Sequence, residues 1–198
     1  MPKLNMTRPL LAAYVCCFFL IVGCEPSRPP FNAVDITGVQ GYGADFRLVD
    51  HTGKSRTMAD FRGKVVAIFF GYTHCPDVCP TTLSDMKRVM EILGPDADRL
   101  QVLFVTVDPA RDTPALLRQY IPSFNPTFLG LSGNEVATAQ AEKNFKIIVR
   151  NVPGTTADSY TVDHTAGTLV FDAQGRLRLF VNYGLEADKI AADIKRLL

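Results

Sequence analysis

The sequence predicts an α/β domain, and three observations predict it. Lys64 opens an unbroken apolar run to Phe70, and Val102–Val107 is a second, each the mark of a strand buried on both faces. Between them Leu83, Met86, Met90 and Leu93 recur at helical spacing and stop at Gly94-Pro95. A buried strand, an amphipathic helix and another buried strand is the succession of an α/β sheet.

Taken in order, residues 24–43 read as an extended tether, because Glu25–Asn32 holds three prolines and a serine. The domain is expected over 44–198. Phe46, Leu48 and Val49 lead into the turn cluster Asp50-His51-Thr52-Gly53 and the chain runs on to Met58, an N-terminal β-hairpin extension. The first buried strand and its helix follow, and the second strand closes at Asp108-Pro109. Asp112 or Thr113 caps the next helix with Pro114 in its first turn, where proline's fixed φ belongs. A helix over 134–142, a strand Phe145–Val149 and a loop holding Pro153-Gly154 come next. Strands Thr168–Phe171 and Leu177–Val181 flank Asp172-Ala173-Gln174-Gly175 as a hairpin, and Ile190, Ile194 and Leu197 mark an amphipathic last helix. The order β-α-β-α and then β-β-α is thioredoxin-like, with an insertion before the His-bearing loop at residue 164.

Composition agrees and excludes several classes of function. With 198 residues, 47% hydrophobic and 21% charged, the chain suits one domain and argues against disorder. Lys+Arg 21 against Asp+Glu 20 leaves no basic footprint for nucleic acid, especially since Lys3 and Arg8 lie in a leader. That leader, residues 1–23, has a positive start, an apolar run Leu10–Val22 too short to span a bilayer, and the ending Ile21-Val22-Gly23 before Cys24. Ile21–Cys24 resembles a bacterial lipobox, so Cys24 is the expected lipidation site; a short uncleaved anchor fits the same pattern. Either reading puts the domain outside the cytoplasm, on the periplasmic side of a bacterial membrane, where a thiol pair tends to be oxidised unless kept reduced or metallated.

Of five cysteines only Cys75 and Cys79 fall inside the domain, in Cys75-Pro76-Asp77-Val78-Cys79-Pro80 between a strand end and a helix start. A helix N-terminus favours thiolate, so both sulfurs are expected to be more ionised than free cysteine. Four helical residues rise about 6 Å, within the Cα separation of a disulfide. Cys79 continues the spacing of Leu83 and Met86 and should be the buried thiol, with Cys75 the accessible one. A metal needs a third donor, and three histidines are available. His164 precedes strand Thr168–Phe171, which in this fold passes the cysteine motif. His51 shares its tetrapeptide Val-Asp-His-Thr but reads as a solvated turn residue. His74 abuts Cys75 and reads as a supporting residue; Met86 and Met90 read as core. Two thiolates and an imidazole form a soft three-donor set that suits Cu(I) better than four-coordinate Zn(II).

At the cysteine motif, at Val107-Asp108-Pro109-Ala110-Arg111-Asp112-Thr113-Pro114 and at Tyr160-Thr161-Val162-Asp163-His164-Thr165, the chain resembles the Sco/SenC family of copper-handling, thioredoxin-fold proteins. The resemblance runs from about Asp45 to Leu198. It implies a membrane-anchored copper chaperone in which Cys75, Cys79 and His164 bind copper, as Cu(I) and also Cu(II). Its implied partner is the CuA-bearing subunit of cytochrome c oxidase, with a copper donor or a thiol reductant upstream. The alternative is a thiol–disulfide oxidoreductase that uses Cys75 and Cys79 to keep the CuA-site cysteines reduced. The Asp108–Pro114 stretch reads as loop and helix cap, with Arg111 as a pairing partner.

Overall fold

All seven residues of strand β4 (Val65–Gly71) are buried, and the sheet is built outward from it. β4 pairs in parallel with β5 (Leu100–Thr106) and in antiparallel with β9 (Thr168–Phe171). The computed structural model describes residues 30–42, 45–156 and 159–198, of which Phe31–Leu198 form one unit. The leader and Cys24 lie outside the described residues. With β1 (Val34–Asp35), β2 (Leu48–Asp50), β3 (Ser55–Arg56), β6 (Leu129–Ser132) and β10 (Leu177–Val181), the sheet runs β1-β10-β9-β4-β5-β6-β2-β3. A separate two-stranded sheet joins β7 (Val149–Pro153) to β8 (Tyr160–His164). The architecture is thioredoxin-like, with β2–β3 as the expected hairpin extension.

Helix α1 (Val78–Leu93) buries Cys79, Leu83, Met86, Val89, Met90 and Leu93 along one stripe and packs against α4 (Ala187–Lys195). The two methionines are therefore core. Gly94 ends α1 in the left-handed region at φ 56°, and its N–H closes onto the Met90 carbonyl. Thr113 caps α2 (Pro114–Tyr120) by accepting from Leu116 N–H at 3.2 Å, with Pro114 at the first helical position. Asn134 caps α3 (Glu135–Asn144) in the same way.

Four expectations need correction. Phe145–Val149 is not a strand: Phe145 closes α3 and stacks in the core against Phe46, Phe70 and Phe171, and Lys146 then turns left-handed at φ 55°. Only Phe145 and Ile147 of that segment are buried, Ile148 stands exposed, and the strand starts only at Val149. The sequence reading also missed β6, a short segment whose place is set by β5 and β2 on either side. The expected tether over 24–43 runs too far, because the packed unit starts at Phe31 and buries Ala33. Buried Asp193 of α4 accepts from the Asn32 and Ala33 backbone N–H groups at 3.1 and 2.8 Å, which ties this segment down. Finally, His164 is the last residue of β8 rather than a loop residue, and the β7–β8 hairpin is the insertion.

Candidate metal centre

The turn from β4 into α1 puts Cys75 on irregular backbone and Cys79 in the first turn of the helix. Cys79 is wholly buried and Cys75 partly exposed, both as free thiols. The space for the Cys79 sulfur exists because residue 71 is glycine: a Cβ there would stand 2.9 Å from Cys79 Sγ. Burial pushes the Cys79 thiol well above its ordinary range, hydrogen bonding from the Tyr72 backbone opposes this, and neighbouring Cys75 adds to it. The expectation of an ionised Cys79 is thereby corrected. Loss of water around the sulfur outweighs the helix N-terminus.

His164 comes from the other side of the site. Its Nε2 lies 3.5 Å from Cys79 Sγ, and its Nδ1 lies 3.0 Å from the Thr165 carbonyl. A carbonyl only accepts, so Nδ1 carries the proton and the Nε2 lone pair faces the sulfur. The ring stands edge-on to Phe69 and Tyr72, with centroids at 5.9 and 6.0 Å. Burial holds its basicity down, and the Thr165 carbonyl and Asp163 work against that. A neutral imidazole with a free lone pair is the form that ligates a metal.

Residues that the sequence reading assigned to capping hold both halves of the site. Buried Asp112 accepts from Thr73 N–H at 3.1 Å, Thr73 Oγ1 at 2.6 Å and Thr106 Oγ1 at 2.7 Å, which fixes the start of the cysteine turn to the end of β5. Arg111 pairs with Asp108 as expected, donates to the Tyr160 carbonyl at 2.9 Å and lies 3.6 Å over the Tyr160 ring. Tyr160 returns a hydrogen bond from its hydroxyl to Asp108 at 2.8 Å, and Val162 N–H donates to the Tyr72 hydroxyl at 3.3 Å. Arg111, Asp108 and Tyr72 thus clamp β8, the strand that ends in His164. Nothing local in the sequence joins residue 112 to residue 73.

The other two histidines stay out of the site. His51 is buried rather than solvated, and its Nδ1 accepts from Gly130 N–H at 3.1 Å while Arg118 donates to its carbonyl at 2.9 Å. The missed strand β6 is what covers it. His74 has a half-exposed side chain beside Thr73 and Asp112. Among the described residues no group of three His, Cys, Asp or Glu side chains is already gathered for a metal. Cys79 and His164 approach each other, and Cys75 lies beside Cys79 on irregular, partly exposed backbone. Sulfur and imidazole with a second thiol at hand fit a soft metal and leave few ligands for a hard one.

A family model described as SCO1/SenC matches residues 34–198. The SCO2-like protein of Rickettsia felis is 38% identical over 177 residues, 88% of this chain and 86% of that protein. The structure of Bradyrhizobium japonicum ScoI with copper bound superposes with a TM-score of 0.73 at 42% identity, over 79% of this chain and 99% of that one. The solution structures of apo Sco1 from Thermus thermophilus give 0.75 at 38% identity, over 87% and 100%. With the cysteine turn, the clamped histidine strand and a match over nearly the whole described unit, the chain belongs to the SCO1/SenC family.

Proposed function

We propose that this chain binds copper through Cys75, Cys79 and His164 and passes it to the CuA centre of cytochrome c oxidase during assembly. The observation that carries the reading is the 3.5 Å approach of His164 Nε2 to Cys79 Sγ, with the nitrogen lone pair turned to the sulfur. A metal ion would take the place of the thiol proton between them, and Cys75 Sγ would complete two-sulfur, one-nitrogen coordination. Partly exposed Cys75 is the ligand an incoming thiolate can displace first, so transfer begins there. The copper-bound ScoI relative supports the choice of metal. In this reading Cys24 is acylated and holds the domain at the periplasmic face of a membrane.

The second reading is a thiol–disulfide reductase, and the free, unequally exposed cysteine pair favours it. There Cys75 thiolate attacks a partner disulfide, forming a mixed disulfide and releasing one partner thiolate; Cys79 then attacks Cys75 Sγ, gives up its proton and expels the second partner sulfur as a thiol, and the chain is left with a Cys75–Cys79 disulfide. His164 separates the two readings, since only metal binding needs it. A His164→Ala strain at limiting copper should lose oxidase activity as severely as Cys75→Ser, with rescue by added copper, while the purified variant still reduces disulfides. Full oxidase activity in His164→Ala beside a defect in Cys75→Ser would overturn copper delivery in favour of the reductase.

A further inference from the structure

Between α3, the β7–β8 hairpin and the segment after β5 lies a groove of about 410 Å³ whose lining includes neither Cys75, Cys79 nor His164. Asp108, Glu135, Thr138, Glu142, Asn151 and Tyr160 supply its polar atoms, and among the described residues lining it there is no lysine, arginine or histidine. Arg111 answers the charge of Asp108 from outside the groove, so Glu135 and Glu142 set its sign. Neither glutamate has an ion-pair partner among the described residues. Thr138, 3% exposed, lines the same groove, and its buried hydroxyl has no hydrogen-bond partner. Glu135, Thr138 and Glu142 recur at spacings of three and four on α3 and so share one face. Burial raises the Glu142 carboxyl above its ordinary value with no cation to oppose it.

We propose that this groove binds an arginine side chain of a partner protein, with Glu142 and Thr138 as its principal acceptors and Glu135 adding negative charge. A bare metal ion is the poorer occupant, because it needs several oxygens around one point and no such group is gathered here. A guanidinium spreads its charge over a planar fork of five donors, which suits a carboxylate, a hydroxyl and an amide carbonyl set apart along a groove. Bound there, it would neutralise a half-buried carboxylate and give the Thr138 oxygen a donor.

The test is titration of the full chain with acetyl-Gly-Arg-Gly-amide, followed by backbone amide NMR. Saturable shifts confined to α3 and β7–β8 are expected, absent with the citrulline peptide and weaker with the lysine peptide. Glu142→Gln should weaken binding about tenfold, as loss of one charge-assisted hydrogen bond does. Thr138→Val should weaken it too, and it keeps the fold because the hydroxyl has no partner to lose. Copper titration of Glu142→Gln should match the parent, since Glu142 lies outside the metal centre. No saturable binding, shifts elsewhere, equal binding of the lysine peptide, or undiminished binding by a Glu135→Gln/Glu142→Gln variant would each overturn the proposal.

Discussion

Replacing Gly71 with alanine should damage the fold and the metal centre together. The added Cβ would stand 2.7 Å from Phe69 Cε1, 2.9 Å from Cys79 Sγ and 3.0 Å from Phe104 Cε2. Carbon normally rests about 3.5–4.0 Å from such neighbours, so the contacts are roughly 0.5–1.3 Å too close. Phe69, Phe104 and Cys79 are all 0–1% exposed, so none can swing into solvent to make room. Overpacking of this kind costs about 1–3 kcal/mol, and three simultaneous clashes put Gly71→Ala in the upper half of that range. Relief requires Cys79 Sγ to shift, which disturbs its approach to His164. Urea denaturation should report a loss of about 2–3 kcal/mol, and anaerobic competition for Cu(I) should report weaker binding. Gly53→Ala is the control. Gly53 sits at φ 93° with nothing within 4 Å of an added Cβ, so it should lose about 1–2 kcal/mol from backbone strain alone and leave copper binding unchanged. Parental stability in Gly71→Ala would refute the packing argument; lower stability with unchanged copper affinity would refute the role given to the Cys79 sulfur.

Asp112→Ala should cost about 2–3 kcal/mol in the same denaturation assay, because it takes the acceptor from the part-buried Thr73 N–H and the buried Thr106 hydroxyl, while the Thr73 hydroxyl keeps only His74 Nδ1 at 3.1 Å; a loss below about 1 kcal/mol would show that the cysteine turn is held by something else. Stability should also fall as pH drops below about 6.5, the ordinary histidine value. Burial lowers the His51 and His164 pKa values, so the unfolded chain binds more protons than the folded one below that pH, and full stability is present only above it. Protonated His51 could no longer accept from Gly130 N–H. His51→Asn, which keeps an acceptor and cannot titrate, should flatten part of this fall in urea midpoints between pH 7 and pH 5. An unchanged slope would show that His51 does not contribute.

The elements nearest the site were legible because their signals are local. An unbroken apolar run, helical spacing closed by Gly94-Pro95 and proline after a capping threonine express preferences of a few consecutive residues, and β4, α1, the start of α2, β9 and β10 follow them. The relative burial of the two cysteines follows for the same reason, since Cys79 lies on the stripe of Leu83 and Met86. The two histidine tetrapeptides show where local reading stops. Residues 49–52 and 162–165 are identical, yet one imidazole is taken by Gly130 in the sheet and the other faces Cys79, 85 residues away in the chain. The thiol of Cys79 departs from expectation for a related reason. A helix N-terminus acts over one turn, whereas desolvation is set by every element packed around the sulfur. Asp112 likewise reaches Thr73 across 39 residues. Backbone propensity and hydrophobic period are properties of short segments, but which lone pair is free and which thiol is dry depends on partners that only folding brings within a few ångströms.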